Sequence, residues 1–397
     1  MKITLRPHAL ALRLIYFFYY FAFGSLFPLL ALYLKDVLGL GGAQIGMLMS
    51  INPIVMIAAQ PLWGLFCDYT QAPRTVLCMT VVLTALMSVA LGSVHTYWLL
   101  FVLLVALAFF QSAISPIMDS ITMSYATREG KAYGSFALWG AFGFGSASLL
   151  VGKLAEHWGL HIIFMSFAIV LLLCMAAAWK SPKEKPGVRN NLRQGIVILM
   201  RIPAFILFLA AAFLIFGPIL ANNFYFSFYV KEAGGTLTGI GISFLLAVGS
   251  EVPFMKASSK LIEKWGIVAV ILTAALISGS RWLLYGFSMP LSLIYATSVL
   301  QGISVGFFIP AAMHLVYKLA PEEVKVTAIS LYSMMGSGLG TCFCTFAGGL
   351  LLERYSIHTV YISFGLLTFF GVIFLLLLGR ARLQNGNKIA KVKNKPS

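Results

Sequence analysis

Residues 64–74 read GLFCDYTQAPR, and 195 positions after Asp68 a second acidic residue, Glu263, stands in residues 261–266, LIEKWG. Each stretch follows a long apolar run, and the pairing is not isolated. Pro116 matches Pro310 and Lys131 matches Lys325 at an offset of 194, while Gly140 and Gly152 match Gly336 and Gly348 at 196. A shared offset at charged loop landmarks is the mark of an internal duplication. The widest polar stretch, residues 179–201, contains Pro182, Pro186 and Gly187 and divides the chain near its middle. The expected organisation is a first half over 1–180, a linking loop over 181–203, a second half over 204–380 and a basic tail over 381–397.

Composition says what the halves are made of. Of 397 residues, 60% are hydrophobic and 10% charged, with a mean hydropathy of +0.92; a soluble domain is about half apolar and a quarter charged. A water-soluble fold is excluded. With about 20 apolar residues per bilayer crossing, the runs near 12–34, 44–66, 75–93, 97–124, 132–153, 158–179, 204–230, 239–262, 267–287, 290–317, 326–351 and 357–379 make twelve helices. The fold class is an all-α polytopic membrane protein, with no room for a separate enzyme domain.

The net charge of +16 is spread in small groups between apolar runs and forms no basic face, so nucleic acid is not a partner. Assigned to alternate loops with both termini inside, 23 of the 28 Lys and Arg fall on the inner side, and only Lys35, Lys153, Lys231 and Arg354 on the outer. By the positive-inside rule this places both termini in the cytoplasm and the chain in the inner membrane, its basic excess facing anionic lipid. The run ending near Leu34 is too long for a signal-peptide core and reads as a retained first helix. Five cysteines without metal-ligand spacing, and no GxxxxGK[ST] loop, call for no metal, nucleotide or other cofactor. Six helices per half give both halves the same orientation, packed about an axis along the membrane normal with an alternating-access cavity between them. A monomer suffices for that.

The loop Gly64, Asp68, Arg74 resembles the acidic and basic signature between the second and third helices of the major facilitator superfamily, with Pro73 and Phe66 in place of commoner residues. Leu261, Glu263, Lys264 and Gly266 resemble its degenerate second copy. A helix-end Asp that accepts from a neighbouring helix N-terminus and a loop Arg would latch one conformational state. In spans four and five, Pro116, Asp119, Ser120 and Thr122 followed by Tyr133, Gly134, Leu138, Trp139, Gly140 and Gly143 resemble the branch that holds lactose permeases, nucleoside/proton symporters and phenylpropionate permeases. In the lactose permeases a carboxylate likewise precedes an aromatic-Gly pair by fourteen positions, but Ala137 stands where its Arg partner would be. Arg281 and Gln301 keep the spacing of that group's buried Arg and His. Ser304 takes the place of the proton-carrying Glu, whereas Glu251, in SEVPF at residues 250–254, resembles the acidic motif of the phenylpropionate branch.

Charge inside a bilayer is costly and marks a cavity or a partner. Asp119 shares one helix face with Gln111, Ser115 and Thr122. Glu251 and Arg281 lie on neighbouring spans, where a changing pair would move a proton, or a fixed pair would hold the helices together. Substrate contact is expected from Asp119, Arg281, Asn222, Asn223, Tyr19 and Gln301, and proton coupling from Glu251 and Asp119. The expected partners are a small organic solute, protons and the lipid bilayer. The leading expectation is a secondary active transporter importing a sugar, nucleoside or aryl-carboxylate with protons. A proton-driven exporter is the alternative, disfavoured because span five lacks the Gly-Pro motif of the drug antiporters. A membrane sensor lacks an output domain here, and an intramembrane enzyme lacks a nucleophile and base.

Overall fold

The computed structural model describes residues 7–131, 133–182 and 192–393. Among these, twelve helices are long and apolar enough to cross a membrane: α1 His8–Asp36, α2 Gly42–Thr70, α3 Pro73–Gly92, α4 Tyr97–Arg128, α5 Gly134–Trp158, α6 Ile162–Trp179, α7 Pro203–Glu232, α8 Leu237–Trp265, α9 Ile267–Tyr285, α10 Leu291–Leu319, α11 Thr327–Arg354 and α12 Ile357–Gly379. Each expected run corresponds to one helix, usually longer by one turn at an end. Arg13 lies in the first turns of α1, with its guanidinium 5.9 Å from the Phe136 ring centre. Within the expected linking loop, residues Leu192–Met200 form a short helix that packs on α7 and α11; residues 183–191 of that loop lie outside the described part. Beyond Gly379, helical backbone continues to Lys393.

Neighbour relations repeat with an index shift of six. Helix α1 packs on α5 and α6 as α7 packs on α11 and α12; α3 packs on α4 and α6 as α9 packs on α10 and α12; α2 meets α4 as α8 meets α10. The remaining large interfaces, α2 with α11 and α5 with α8, are images of each other under the same shift. Backbone details follow it too. Helices α2 and α8 both end at left-handed residues, Gln71 (φ 51°) and Gly266 (φ 85°), and the turns after α1 and α7 use Gly39 (φ 66°) and Gly234 (φ 82°). A positive φ at Gly costs no Cβ clash, which makes these sharp stops cheap.

Two irregularities interrupt the helices. Pro116 has no N–H to give the carbonyl of Ser112, and α4 breaks into two segments at Ser112–Ala113, beside Gln111 and Ser115. In α11, Met334–Gly340 is a π-helical segment whose alternate positions are Gly336, Gly338 and Gly340. Here Gly217 of α7 approaches so closely that a Cβ on it would lie 2.7 Å from the Gly340 backbone.

Aromatic side chains mark both ends of the bundle. Trp98 and Trp158 on one face and Trp179 and Trp265 on the other are more than half exposed, as membrane-interface residues are. Between them Val102, Ile169 and Phe370 present an apolar surface outward, the side that faces lipid.

Candidate functional site

The face at which α1 begins and α12 leaves the bundle is called here the terminal face, and the other the distal face. Polar links between the first six and the last six helices cluster at the distal face. Lys231, at the end of α7, forms an ion pair with Asp36, at the end of α1. Glu353 at the end of α11 accepts the Ala43 N–H at the start of α2 at 2.5 Å, and Glu156 at the end of α5 accepts the Thr238 N–H at the start of α8 at 3.0 Å. A carboxylate at a helix N-terminus satisfies orphan donors and meets the positive end of the dipole. Apolar packing closes the same face: a Cβ on Gly349 would lie 2.5 Å from the Gly46 Cα, and one on Gly241 2.3 Å from the Ser148 carbonyl. Toward the terminal face, Gly64 and Gly134 would meet nothing within 4 Å, and Tyr69 is 87% exposed. Among the described residues, the halves close on each other distally, while these positions on the terminal side stand open.

Asp119 lies half-buried on α4 and collects three hydroxyls. Tyr16 donates to it, Tyr133 donates to the same oxygen at 2.8 Å, and Ser115 donates to the other at 3.3 Å. Tyr133 immediately precedes α5, and its phenol O–H is the donor in this contact. Next along the stripe, Gln111 accepts from Asn52 of α2 at 3.3 Å. Tyr19 is almost fully buried, 5% exposed, and stacks edge-on against Tyr20. Thus Asp119 carries a hydroxyl shell in place of the missing Arg partner.

In the second six helices, Asn222 donates to Gln301 at 3.1 Å and accepts from Tyr361 of α12 at 2.9 Å. Asn222 is sealed (0% exposed), whereas Asn223 and Gln301 are half-buried. Arg281 is 1% exposed. Its Nε donates to the Tyr285 hydroxyl at 3.0 Å, and its guanidinium carbon sits 4.7 Å and 4.9 Å from the Trp282 and Tyr285 ring centres. Aromatic faces supply the quadrupole that a buried cation lacks elsewhere. Glu251 is half-buried with no hydrogen bond or ion pair among the described residues. Its backbone lies against Gly302 and Gly306 of α10.

The structure therefore brings Asn222 to Gln301 and leaves Glu251 and Arg281 apart. The expected pair does not form because Arg281 turns into an aromatic cage between α9, α10 and α12 while Glu251 packs on α10 from the other side. Of the loop residues, Arg74 donates to the Ser181 carbonyl at 3.4 Å and stacks on Trp179 at 5.4 Å; Gly64 lies in open space. Asp68 accepts at its backbone carbonyl from Gln71 at 2.6 Å. Glu263 and Lys264 are exposed, and Gly266 ends α8. Sequence reasoning missed Tyr361, Tyr285 and the distal residues Asp36, Glu156 and Glu353. The duplication could have found the distal set, since Asp36 with Lys231 and Ala43 with Thr238 stand 195 apart, and Glu156 with Glu353 197 apart.

A duplicated twelve-helix bundle, closed at one face and carrying half-buried carboxylates in its interior, defines a membrane transporter rather than an enzyme. The chain belongs to the MFS_1 like family, whose model matches residues 9–363, and so to the major facilitator superfamily. It is 48% identical over 376 residues to the maltose permease of Geobacillus stearothermophilus, covering 94% of this chain and 95% of that one. To a probable 3-phenylpropionic acid transporter of Escherichia coli (strain K12) it is 23% identical over 355 residues, covering 88% and 92%. Among solved structures, nucleoside transporter NupG matches with a TM-score of 0.81 at 17% identity, covering 93% of this chain and 98% of that one; that likeness speaks for the fold.

Proposed function

We propose that the protein is a proton-coupled importer of a neutral disaccharide of the maltose type, working as a monomer in the inner membrane with its terminal face in the cytoplasm. Its two six-helix halves, 1–180 and 204–380, rock about the interior, and the conformation described above is the inward-open one. The observation that carries the substrate class is the state of Arg281, the one fully buried cation among the described residues. It is withdrawn into an aromatic cage, where a carboxylate substrate finds no partner, while Asn223, Gln301, Asp119 and the phenols offer the donors and acceptors that sugar hydroxyls need. The 48% identity to a maltose permease supports the same class. Glu251, without a hydrogen-bond or ion-pair partner among the described residues, is the proposed proton carrier, and Asp119 the carboxylate that senses occupancy.

The experiment is uptake of radiolabelled maltose, a nucleoside and 3-phenylpropionate into proteoliposomes with and without an imposed inward proton gradient. Maltose uptake that the gradient accelerates supports the proposal. Uptake of phenylpropionate alone would mean that Arg281 leaves its cage, and the substrate reading would be wrong.

A further inference from the structure

We propose that Tyr361 is a positioning residue that fixes, through Asn222, which half of the Gln301 amide faces the substrate. The inference rests on the sugar-transport reading and specifies one of its contacts. The chemistry runs outward from the sealed end of the chain. Tyr361 is fully buried, and its hydroxyl hydrogen must find an acceptor. Among the described residues its hydrogen-bond partner is Asn222 Oδ1, at 2.9 Å. The guanidinium of Arg281, which lies over the same Trp282 and Tyr285 rings that pack on Tyr361, has only donors to offer, which leaves the phenol as the donor toward Asn222.

With Oδ1 taken, the Asn222 amide turns its Nδ2 to Gln301, whose Oε1 accepts at 3.1 Å. Asn222 is itself sealed and cannot touch substrate. Gln301 is half-buried, and because its oxygen is committed, its Nε2 is the group left for the interior. An amide is a donor on one side and an acceptor on the other, so the relay makes Gln301 a hydrogen-bond donor to a sugar oxygen. Without Tyr361 the two amides can turn over together, and Gln301 then presents its oxygen in part of the population. The cage around Tyr361, stacked on Trp282 at 5.7 Å and edge-on to Tyr285 at 5.0 Å, holds the ring in place.

The test is a double-mutant cycle of Tyr361→Phe and Gln301→Ala, read on maltose uptake and, in detergent without sugar, on Tm. Each single variant should raise KM about five- to tenfold, the worth of one neutral hydrogen bond, with the maximal rate within twofold. The double variant should be no worse than Gln301→Ala alone. In Tm the two substitutions should likewise be less than additive. Additive KM effects, or a Tyr361→Phe effect on maximal rate alone, overturn the relay while leaving sugar transport standing. If the wild-type protein moves no maltose, the substrate reading fails on its own; the Tm cycle then decides the relay, and additivity there overturns it.

Discussion

Asp119 holds three hydroxyl donors at once, from Tyr16, Tyr133 and Ser115, so the protein supplies the donors that water would give a carboxylate outside the bilayer. Charge-assisted bonds of this kind are worth roughly 1.5–3 kcal/mol each. Tyr133→Phe should therefore lower kcat/KM for uptake by about tenfold or more, and Asp119→Asn by more than that, since the amide gives up the carboxylate charge and turns an N–H group, in place of an acceptor oxygen, toward Ser115 or toward the two phenols; initial-rate uptake measures both. Glu251 differs in having no such shell. Glu251→Gln should abolish gradient-driven accumulation while sparing exchange of internal for external sugar, because exchange needs no net proton movement; equal loss of both would take Glu251 out of the coupling role. Rarity made these two legible in the sequence, since an intramembrane carboxylate stands out among apolar neighbours. Arg281 stood out for the same reason, yet its surroundings did not: a cage made by α9 and α12 is a tertiary fact. Tyr361 could not be singled out among 16 tyrosines.

Among the elements, α4 and the pair α2 with α11 carry the most consequence. The break at Ser112–Ala113, caused by Pro116, lies beside the polar stripe. The approach of Gly46 to Gly349 sets how tightly the distal face closes. Gly349→Val places three carbons where the Gly46 backbone already lies, so it should hold that face open. Labelling of Ile45→Cys, buried in the closed state at 1% exposure, by an impermeant maleimide from outside should then rise severalfold and uptake should fall; unchanged labelling contradicts the assignment. Gly64→Ala, by contrast, meets open space and should leave the protein folded with unchanged labelling at that cysteine. Apolar run length gave the twelve spans to within about a turn, because the bilayer imposes it. The π-helical segment in α11 was not visible, since its glycines read equally well as ordinary close-packing positions.

On the scale of the whole molecule, duplication and distal closure are one subject. Glu156 and Glu353 occupy corresponding places and cap the helix starts at Thr238 and Ala43, which correspond in turn, with the Asp36–Lys231 pair between them. Replacing both glutamates by Gln should shift the balance toward the distally open state, read as faster labelling of Ile45→Cys. The sequence carried this symmetry in its offsets, but helix-to-helix capping across halves becomes visible only once α5 lies against α8. The central claim, that an interior with a caged cation and a free carboxylate carries a neutral sugar with a proton, is tested most directly by one measurement. That is maltose uptake into proteoliposomes enclosing a pH dye, compared between the intact protein and Glu251→Gln. Maltose should acidify the lumen in the intact protein and fail to do so in the variant; maltose entry without acidification, or acidification that survives the substitution, would contradict the account.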